Sequence, residues 1–513
     1  MSGSVESAGA PQGSGDTGSS LSDVGAASPL APWFRRERLA LLTDFYEVTM
    51  MGGYLASGIS EQPACFEYFF RRLPPNTGYC VTAGLTHLLE FLEHLHFAED
   101  DLAYLESLDM FPQAFLDRLA ALRFTGTLRA IPEGSVVFPN EPIVQVEAPL
   151  IEAQLIETFL LNALNYPTLI ATKAARCAYA AEGDPVLEFG LRRAQGPDGG
   201  ICGARAAMIG GCAATSNVMA GKLYDVPVKG TQAHSWIMAF QNELDAFRAY
   251  VHAYPENPTL LVDTYDTLEC GVPNAICAFQ EALADHPHLR ASIRLDSGDL
   301  AAMSKGAYKQ LTEAGFEDPL IVASSELDED LIADIKRQGA KINAWGVGTH
   351  LITSRDYPAL GGVYKLMAVE DGGTWQAKIK LSSNPEKTTN PGRKQLVRYF
   401  DEAGAPLADV MYDSGEAVAQ GPNVAAVDSV RLHEHLRVKG VASAEPLLQT
   451  YIKDGCVITR EPTTLELKAR AQARIEALPA ELKRLRNPHE YRVLLSPALA
   501  EKKRNLLVEY LTR

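Results

Sequence analysis

The sequence predicts an α/β fold, a parallel sheet either open or closed into a barrel, joined to an α+β region. Three observations predict it. From Pro185 onward, short apolar, β-branched runs alternate with helical stretches, and successive runs start typically ~30 residues apart, the period of a strand-helix-strand unit. Polar residues and glycines gather immediately after each run, at the strand end where such sheets bind ligands. On either side of this stretch the pattern changes to short β runs broken by Pro, Gly and Asn turns. With 513 residues, 46% of them hydrophobic, the chain can build two or three domains with buried cores.

The segments follow in order. Residues 1–31 are rich in Gly, Ser and Ala, lack Lys and Arg and have no apolar stretch, so they are expected to be disordered and fit neither a signal nor a transit peptide. Residues 32–150 form an expected α+β unit: LALLTDFYEVTMMGGYLASG reads as a helix, ACFEYFFRRLP as a strand, and FTGTLRAIPEGSVVFPNEPIVQVEAP as several short strands. Residues 151–351 begin with a long helical pattern interrupted at Pro167, where a kink or break is expected. The alternating runs PVLEFG, VPVKGT, TLLVDT, ASIRLDS, PLIVASS and INAWGVG then supply the parallel strands. Residues 352–513 return to β patterning in GGVYKLMAVE, WQAKIKLS and KQLVRYFDEAG, and the charged helical segment TLELKARAQARIEALPAELKRL is expected to close the chain, the whole folding back on the first unit.

Charge and composition exclude several classes of function. The 64 acidic and 47 basic residues leave a net charge of -17, which repels nucleic-acid backbones and anionic bilayers, so neither is an expected partner. No run reaches the apolar length of a membrane span. The eight cysteines show no CxxC spacing and are read as reduced thiols of a cytoplasmic protein.

The chemistry-bearing residues lie just beyond the apolar runs. EFGLRRAQGPDGG offers Arg192, Arg193 and a Gly-rich loop, suited to an oxyanion-rich ligand, although a solvated turn would look the same. In SIRLDSGDL, Arg294 can hold an anion, while Asp296 and Asp299 can hold ribose hydroxyls or magnesium; a helix N-cap would account for one of these residues but not for all. AWGVGTHL places Gly346, Gly348 and Thr349 at a strand end where backbone N–H groups can grip phosphate. ALGGVYKL adds Gly361 and Gly362, and NPEKTTNPGRKQ adds Lys387, Thr388, Thr389 and Arg393. LLVDTYDTLECG reads as one more strand end. The pairs His94/His96, His286/His288 and His433/His435 lack a third ligand and read as surface or loop residues. His234 differs, because Gly230, Thr231, Ala233 and Ser235 leave room for a large group, and an imidazole is both a general base and a phosphate-accepting nucleophile.

Taken together, LLTDFYEVTM, FEYFFRRLP, FGLRRAQGPDGG, GGCAATSNVMAG, VPVKGTQAHS, RLDSGDL, VGTHLIT, LGGVYKL and NPEKTTNPG resemble the nicotinate phosphoribosyltransferase family, over nearly all of the chain after its first segment. The resemblance implies the type II phosphoribosyltransferase fold: an irregular TIM-like α/β barrel of parallel strands plus an α+β domain built from the N- and C-terminal segments. It implies the joining of nicotinate to 5-phosphoribosyl 1-diphosphate, giving nicotinate mononucleotide and diphosphate, the first step of NAD salvage from nicotinate. It further implies coupling to hydrolysis of ATP to ADP and phosphate through a phosphohistidine, Mg2+ as cofactor with unassigned ligands, and a homodimer with shared active sites.

By the match of GTQAHS, the phosphohistidine is His234, with Arg294 and Asp296 completing the catalytic set. Tyr46 resembles the aromatic that stacks on the pyridine ring from the neighbouring subunit, and Phe189 resembles its partner on the other face. Thr231 and Arg294 match nicotinate contacts. Arg192, Asp296, Gly346, Gly348, Thr349, Gly362 and Thr389 match contacts to the phosphoribosyl donor. Ser216 stands where the nicotinamide-using relatives place an Asp, which favours a carboxylate substrate. The alternatives are a quinolinate or nicotinamide phosphoribosyltransferase, or a non-catalytic metabolite sensor on the same fold. The quinolinate enzyme is shorter and lacks the GLRRAQGPDGG and AHS motifs as a set, and a sensor has no need of His234 with Arg294 and Asp296.

Overall fold

A computed structural model describes residues 38–384 and 387–512, so the tail expected to be disordered, residues 1–31, lies outside the described residues. Six short strands pair in parallel in the order Ala214–Thr215, Val186–Glu188, Ala344–Val347, Leu320–Ala323, Ser292–Leu295, Thr259–Leu261. Helices Gly196–Gly210, Val272–Ala282, Leu300–Glu313 and Glu329–Arg337 run between them. Their apolar sides close a core around Trp345, Phe279 and Ile293. Among the described residues no backbone pairing joins the two outermost strands, so the barrel is irregular; Gln232 Nε2 spans the gap, donating to Thr259 O at 3.4 Å.

Three local expectations are corrected. VPVKGT is not a strand: Val228 makes one parallel bridge to Thr215, through Thr215 N donating to Pro227 O and Lys229 N to Thr215 O, both at 3.0 Å. Pro227 has no N–H to extend the ladder, and the chain leaves the sheet there to deliver Thr231 and His234 to the strand tips. Pro167 neither breaks nor ends its helix, which runs unbroken over Glu157–Ala180. The carbonyl of Ala163, deprived of its usual donor by Pro167, faces Gly84, where a Cβ would lie 1.9 Å from it; the missing side chain permits that approach. Finally, the charged helix Thr464–Glu476 does not close the chain, because the strand Val493–Leu495 and the helix Pro497–Thr512 follow it.

The remaining β runs build two larger sheets and a two-stranded one, Cys80–Val81 with Val136–Val137. An antiparallel seven-stranded sheet is drawn from both ends of the chain, with Pro63–Phe70 between Gly362–Asp371 and Val144–Pro149. Phe66 and Tyr364 stack across that pairing at 4.9 Å between ring centroids. A six-stranded sheet is built from strands between Lys394–Phe400 and Val493–Leu495. The helix Glu157–Ala180 ties these parts together: Phe159 stacks on Phe91 in one core, while Ile170 and Ala174 belong to the barrel core. Among the described residues no helix is long and apolar enough to cross a membrane, and no disulfide joins the cysteines.

Candidate active site

The C-terminal ends of the parallel strands open into a cavity of about 410 Å³. Phe189, Thr231, Arg294 and Asp296 line it, as do Arg192, Gly346, Gly348 and Thr349, so eight of the sequence-predicted positions meet in one place. Sheet order explains the convergence. The strand ending at Glu188 pairs with the one ending at Val347, and Arg294 sits opposite Leu261 on one side and Val322 on the other. Gly346 makes room for an aromatic ring: a Cβ there would lie 2.7 Å from the Phe189 side chain. A second hollow of about 480 Å³, walled by Leu39, Leu42, Phe159 and Pro167, contains none of the predicted site residues.

Arg294 is oriented by its neighbours. Its Nε donates to Ser324 Oγ at 2.7 Å, Nη1 to Thr231 Oγ1 at 3.0 Å, and Nη2 to Asp296 Oδ1 at 2.8 Å. Ser324 Oγ in turn donates to the same Asp296 oxygen. The guanidinium lies 6.0 Å from the centre of the Phe189 ring, which sets a cation beside an apolar face. Arg192 and Arg193 are exposed on the short turn Leu191–Arg193 and form no ion pair among the described residues, so both remain available to an anion.

His234 begins the helix His234–Met238, with its side chain 43% exposed. Its Nδ1 shares a hydrogen bond with Thr264 Oγ1 at 3.1 Å, and its Nε2 stands 4.0 Å from Asp296 Oδ2. Asp263 lies behind this pair. Its Oδ2 accepts from Asp296 N at 2.8 Å and from Ser297 Oγ at 2.7 Å, whereas its Oδ1 is buried with no hydrogen-bond partner. A buried carboxylate oxygen left without a partner suits a hard divalent cation. Asp299 is engaged as the cap of helix Leu300–Glu313, accepting from Ala302 N at 3.0 Å. The group Asp328, His350 and Asp356 also has ligand-like spacing, but Lys173 lies 2.5 Å from Asp356 and Arg355 lies 2.9 Å from His350, so cations already occupy its surroundings.

Four predicted positions do not line the cavity of their own chain: His234, which stands beside it 4.0 Å from Asp296, and Tyr46, Gly362 and Thr389. Tyr46 is half exposed on the helix Phe45–Ala56, and burial first, then the carboxylates of Glu157, Glu47 and Asp44, raise its phenol above the ordinary range. Gly362 packs against Asn165, where a Cβ would lie 2.1 Å from the amide oxygen. Thr389 is buried, and its Oγ1 accepts from Lys380 N at 3.1 Å. Conversely, Ser324, Asp263 and Thr264 serve the site although sequence reasoning gave them no role. Their only signal was their position just after an apolar run.

Comparison with known proteins fits this arrangement. The model of the nicotinate phosphoribosyltransferase N-terminal domain matches residues 41–165, that of the nicotinate phosphoribosyltransferase family residues 185–403, and that of the C-terminal domain residues 393–503. The nicotinate phosphoribosyltransferase of Bacillus subtilis is 44% identical over 470 residues, covering 90% of this chain and 94% of that one. The human nicotinate phosphoribosyltransferase is 36% identical over 526 residues, covering 91% and 96%. The crystal structure of human nicotinic acid phosphoribosyltransferase has a TM-score of 0.81 at 34% identity, covering 90% of this chain and 99% of that one. The chain belongs to the nicotinate phosphoribosyltransferase family.

Proposed function

We propose that the enzyme joins nicotinate to the ribose of 5-phosphoribosyl 1-diphosphate and couples the transfer to ATP hydrolysis through phosphorylation of His234. The observation that carries this reading is the convergence of Phe189, Thr231, Arg294 and Asp296 in one cavity, with His234 exposed beside Asp296. Arg294 receives the nicotinate carboxylate and Phe189 packs on the pyridine ring, while Ser216 on the cavity wall presents no charge that would repel the carboxylate. The ring nitrogen attacks C1 of the ribose as the bond from C1 to diphosphate breaks, and the Asp296 carboxylate offsets the positive charge that develops on the sugar. Nicotinate's nitrogen already carries a lone pair, so the step needs no strong base. Arg192 and the backbone of residues 346–349 take the phosphate oxygens. Asp263 and Asp296 are the residues that would hold magnesium, which neutralises diphosphate charge when bound.

His234 serves energy coupling. With Nδ1 engaged by Thr264, the Nε2 lone pair attacks the terminal phosphorus of ATP, ADP leaves, and water later cleaves the N–P bond to release phosphate. Tyr46 belongs to the site of a second copy in a homodimer, and Gly362 and Thr389 are assigned to the phosphate end of the same composite site. Replacing His234 with Ala is expected to abolish nicotinate-dependent ATP hydrolysis while leaving a slow ATP-independent transfer. An unchanged response to ATP in that variant removes the assignment. Mass analysis of products from nicotinate, nicotinamide and quinolinate offered in parallel should show a nucleotide from nicotinate alone.

A further inference from the structure

Behind the cavity wall lies a buried carboxylate that the reaction does not use. Glu188 has 0% of its surface exposed and forms no ion pair among the described residues, an arrangement that costs free energy unless its hydrogen bonds return something specific. Its Oε1 accepts from Gly190 N, and its Oε2 accepts from Thr215 Oγ1 at 2.5 Å. Glu188 and Thr215 are direct partners in the parallel ladder, one residue short of Phe189 and Ser216, which line the cavity. Thr215 Oγ1 also accepts from Asn217 N at 3.0 Å, and Ser216 N donates to Glu188 O at 2.9 Å. One carboxylate therefore fixes the residue after Phe189 and, through a hydroxyl, the residues flanking Ser216. Burial pushes the Glu188 carboxyl above its ordinary range, opposed by the bonds from Thr215 and Gly190.

We infer that Glu188 is a positioning residue for pyridine recognition: with Thr215 it locks two strand tips so that Phe189 and Ser216 stand at the separation nicotinate requires. The inference rests on the reading that Phe189 contacts the pyridine ring. In Glu188→Gln one acceptor becomes a donor, so either Gly190 N–H meets a donor or the Thr215 hydroxyl exchanges its donation to a carboxylate for a weaker bond accepted from a neutral amide. Glu188→Gln and Thr215→Val are each expected to raise the nicotinate KM about tenfold, with kcat and the KM of the sugar donor within about twofold of the parent. Thr215→Ser keeps the hydroxyl and should restore the parental KM. The double variant should be no worse than either single one, because both remove the same link.

Steady-state kinetics on the intact enzyme, with Phe189→Ala alongside, separates the possibilities. If Phe189→Ala leaves the nicotinate KM unchanged, the reading of the pyridine site fails. If Phe189→Ala raises it while Thr215→Val and Glu188→Gln do not, or if both substrates' KM values rise together in those two variants, the positioning role is overturned. Should Glu188→Gln fail to fold, Thr215→Val against Thr215→Ser decides the matter by the same criteria.

Discussion

Arg294 commits donors to Ser324, Thr231 and Asp296, so its planar fork is held in place by three neighbouring side chains. The same economy of neighbours shapes Glu47, which flanks Tyr46 on the helix Phe45–Ala56. Burial raises the Glu47 carboxyl from 4.5 to about 7; hydrogen bonds from Thr43 and Thr158 oppose the shift, and the charges of Glu157 and Asp44 add to it. A carboxyl raised on folding binds its proton more tightly in the native state, so its stabilising contribution is complete below the unfolded value and is lost as pH rises through the folded one. Glu47→Gln is neutral and keeps an acceptor for one of the two hydroxyls, while the other accepts from the amide and donates elsewhere, Thr43 to Leu155 O or Thr158 to Asp44. It should therefore raise Tm by about 2 °C at pH 8 and leave it nearly unchanged at about pH 4, below the unfolded value, read by scanning calorimetry. Equal shifts at both pH values would contradict the assignment. At this scale the sequence exposed Arg294 and Asp296, because a cluster of charges beyond an apolar run has few structural uses, and His234, because small residues surround it. It could not expose Glu188, since a single acid inside a β run gives no sign of its partners.

The helices that carry the strands owe their close approach to small residues. Gly210, at the end of helix Gly196–Gly210, lies where a Cβ would be 2.1 Å from Ala171 O on the neighbouring helix Glu157–Ala180. A backbone atom cannot yield as a side chain can, so Gly210→Ala should destabilise the enzyme by about 2 kcal/mol or more in urea denaturation. Gly53, exposed in helix Phe45–Ala56 with nothing within 4 Å of its would-be Cβ, is the control, and its replacement by Ala should be neutral or mildly stabilising. Equal losses at both positions would refute the packing argument. Most elements of the parallel sheet were legible from alternation alone. VPVKGT was not, because β propensity describes a segment's preference and says nothing of whether a proline falls where the ladder needs a donor. Pro167 misled for a matching reason: the carbonyl it frees is accommodated by Gly84, a residue from a different helix-strand junction.

For the whole molecule, the placement of Tyr46 outside its own cavity makes the assembly testable. In a dimer with shared sites, a Tyr46→Ala chain and a His234→Ala chain together form one composite site that keeps both residues. Co-expression of the two variants, each expected to lack ATP-coupled activity alone, should then recover about a quarter of the parental ATP-coupled activity, since about half of the dimers are mixed and each holds one complete site. Failure to recover activity would remove Tyr46 from the neighbour's site. By itself the sequence determined the α/β class, the family motifs and the strand-tip residues, because apolar periodicity and local motifs are written within stretches of roughly 30 residues. Only the tertiary structure decided which tips share a cavity, that Asp263 keeps a buried oxygen without a hydrogen-bond partner, and that Glu188 is tied to Thr215. Those facts depend on a strand order that sets Val186–Glu188 between Ala214–Thr215 and Ala344–Val347, and such pairing between distant segments is fixed by the collective packing of the core, which no local pattern records.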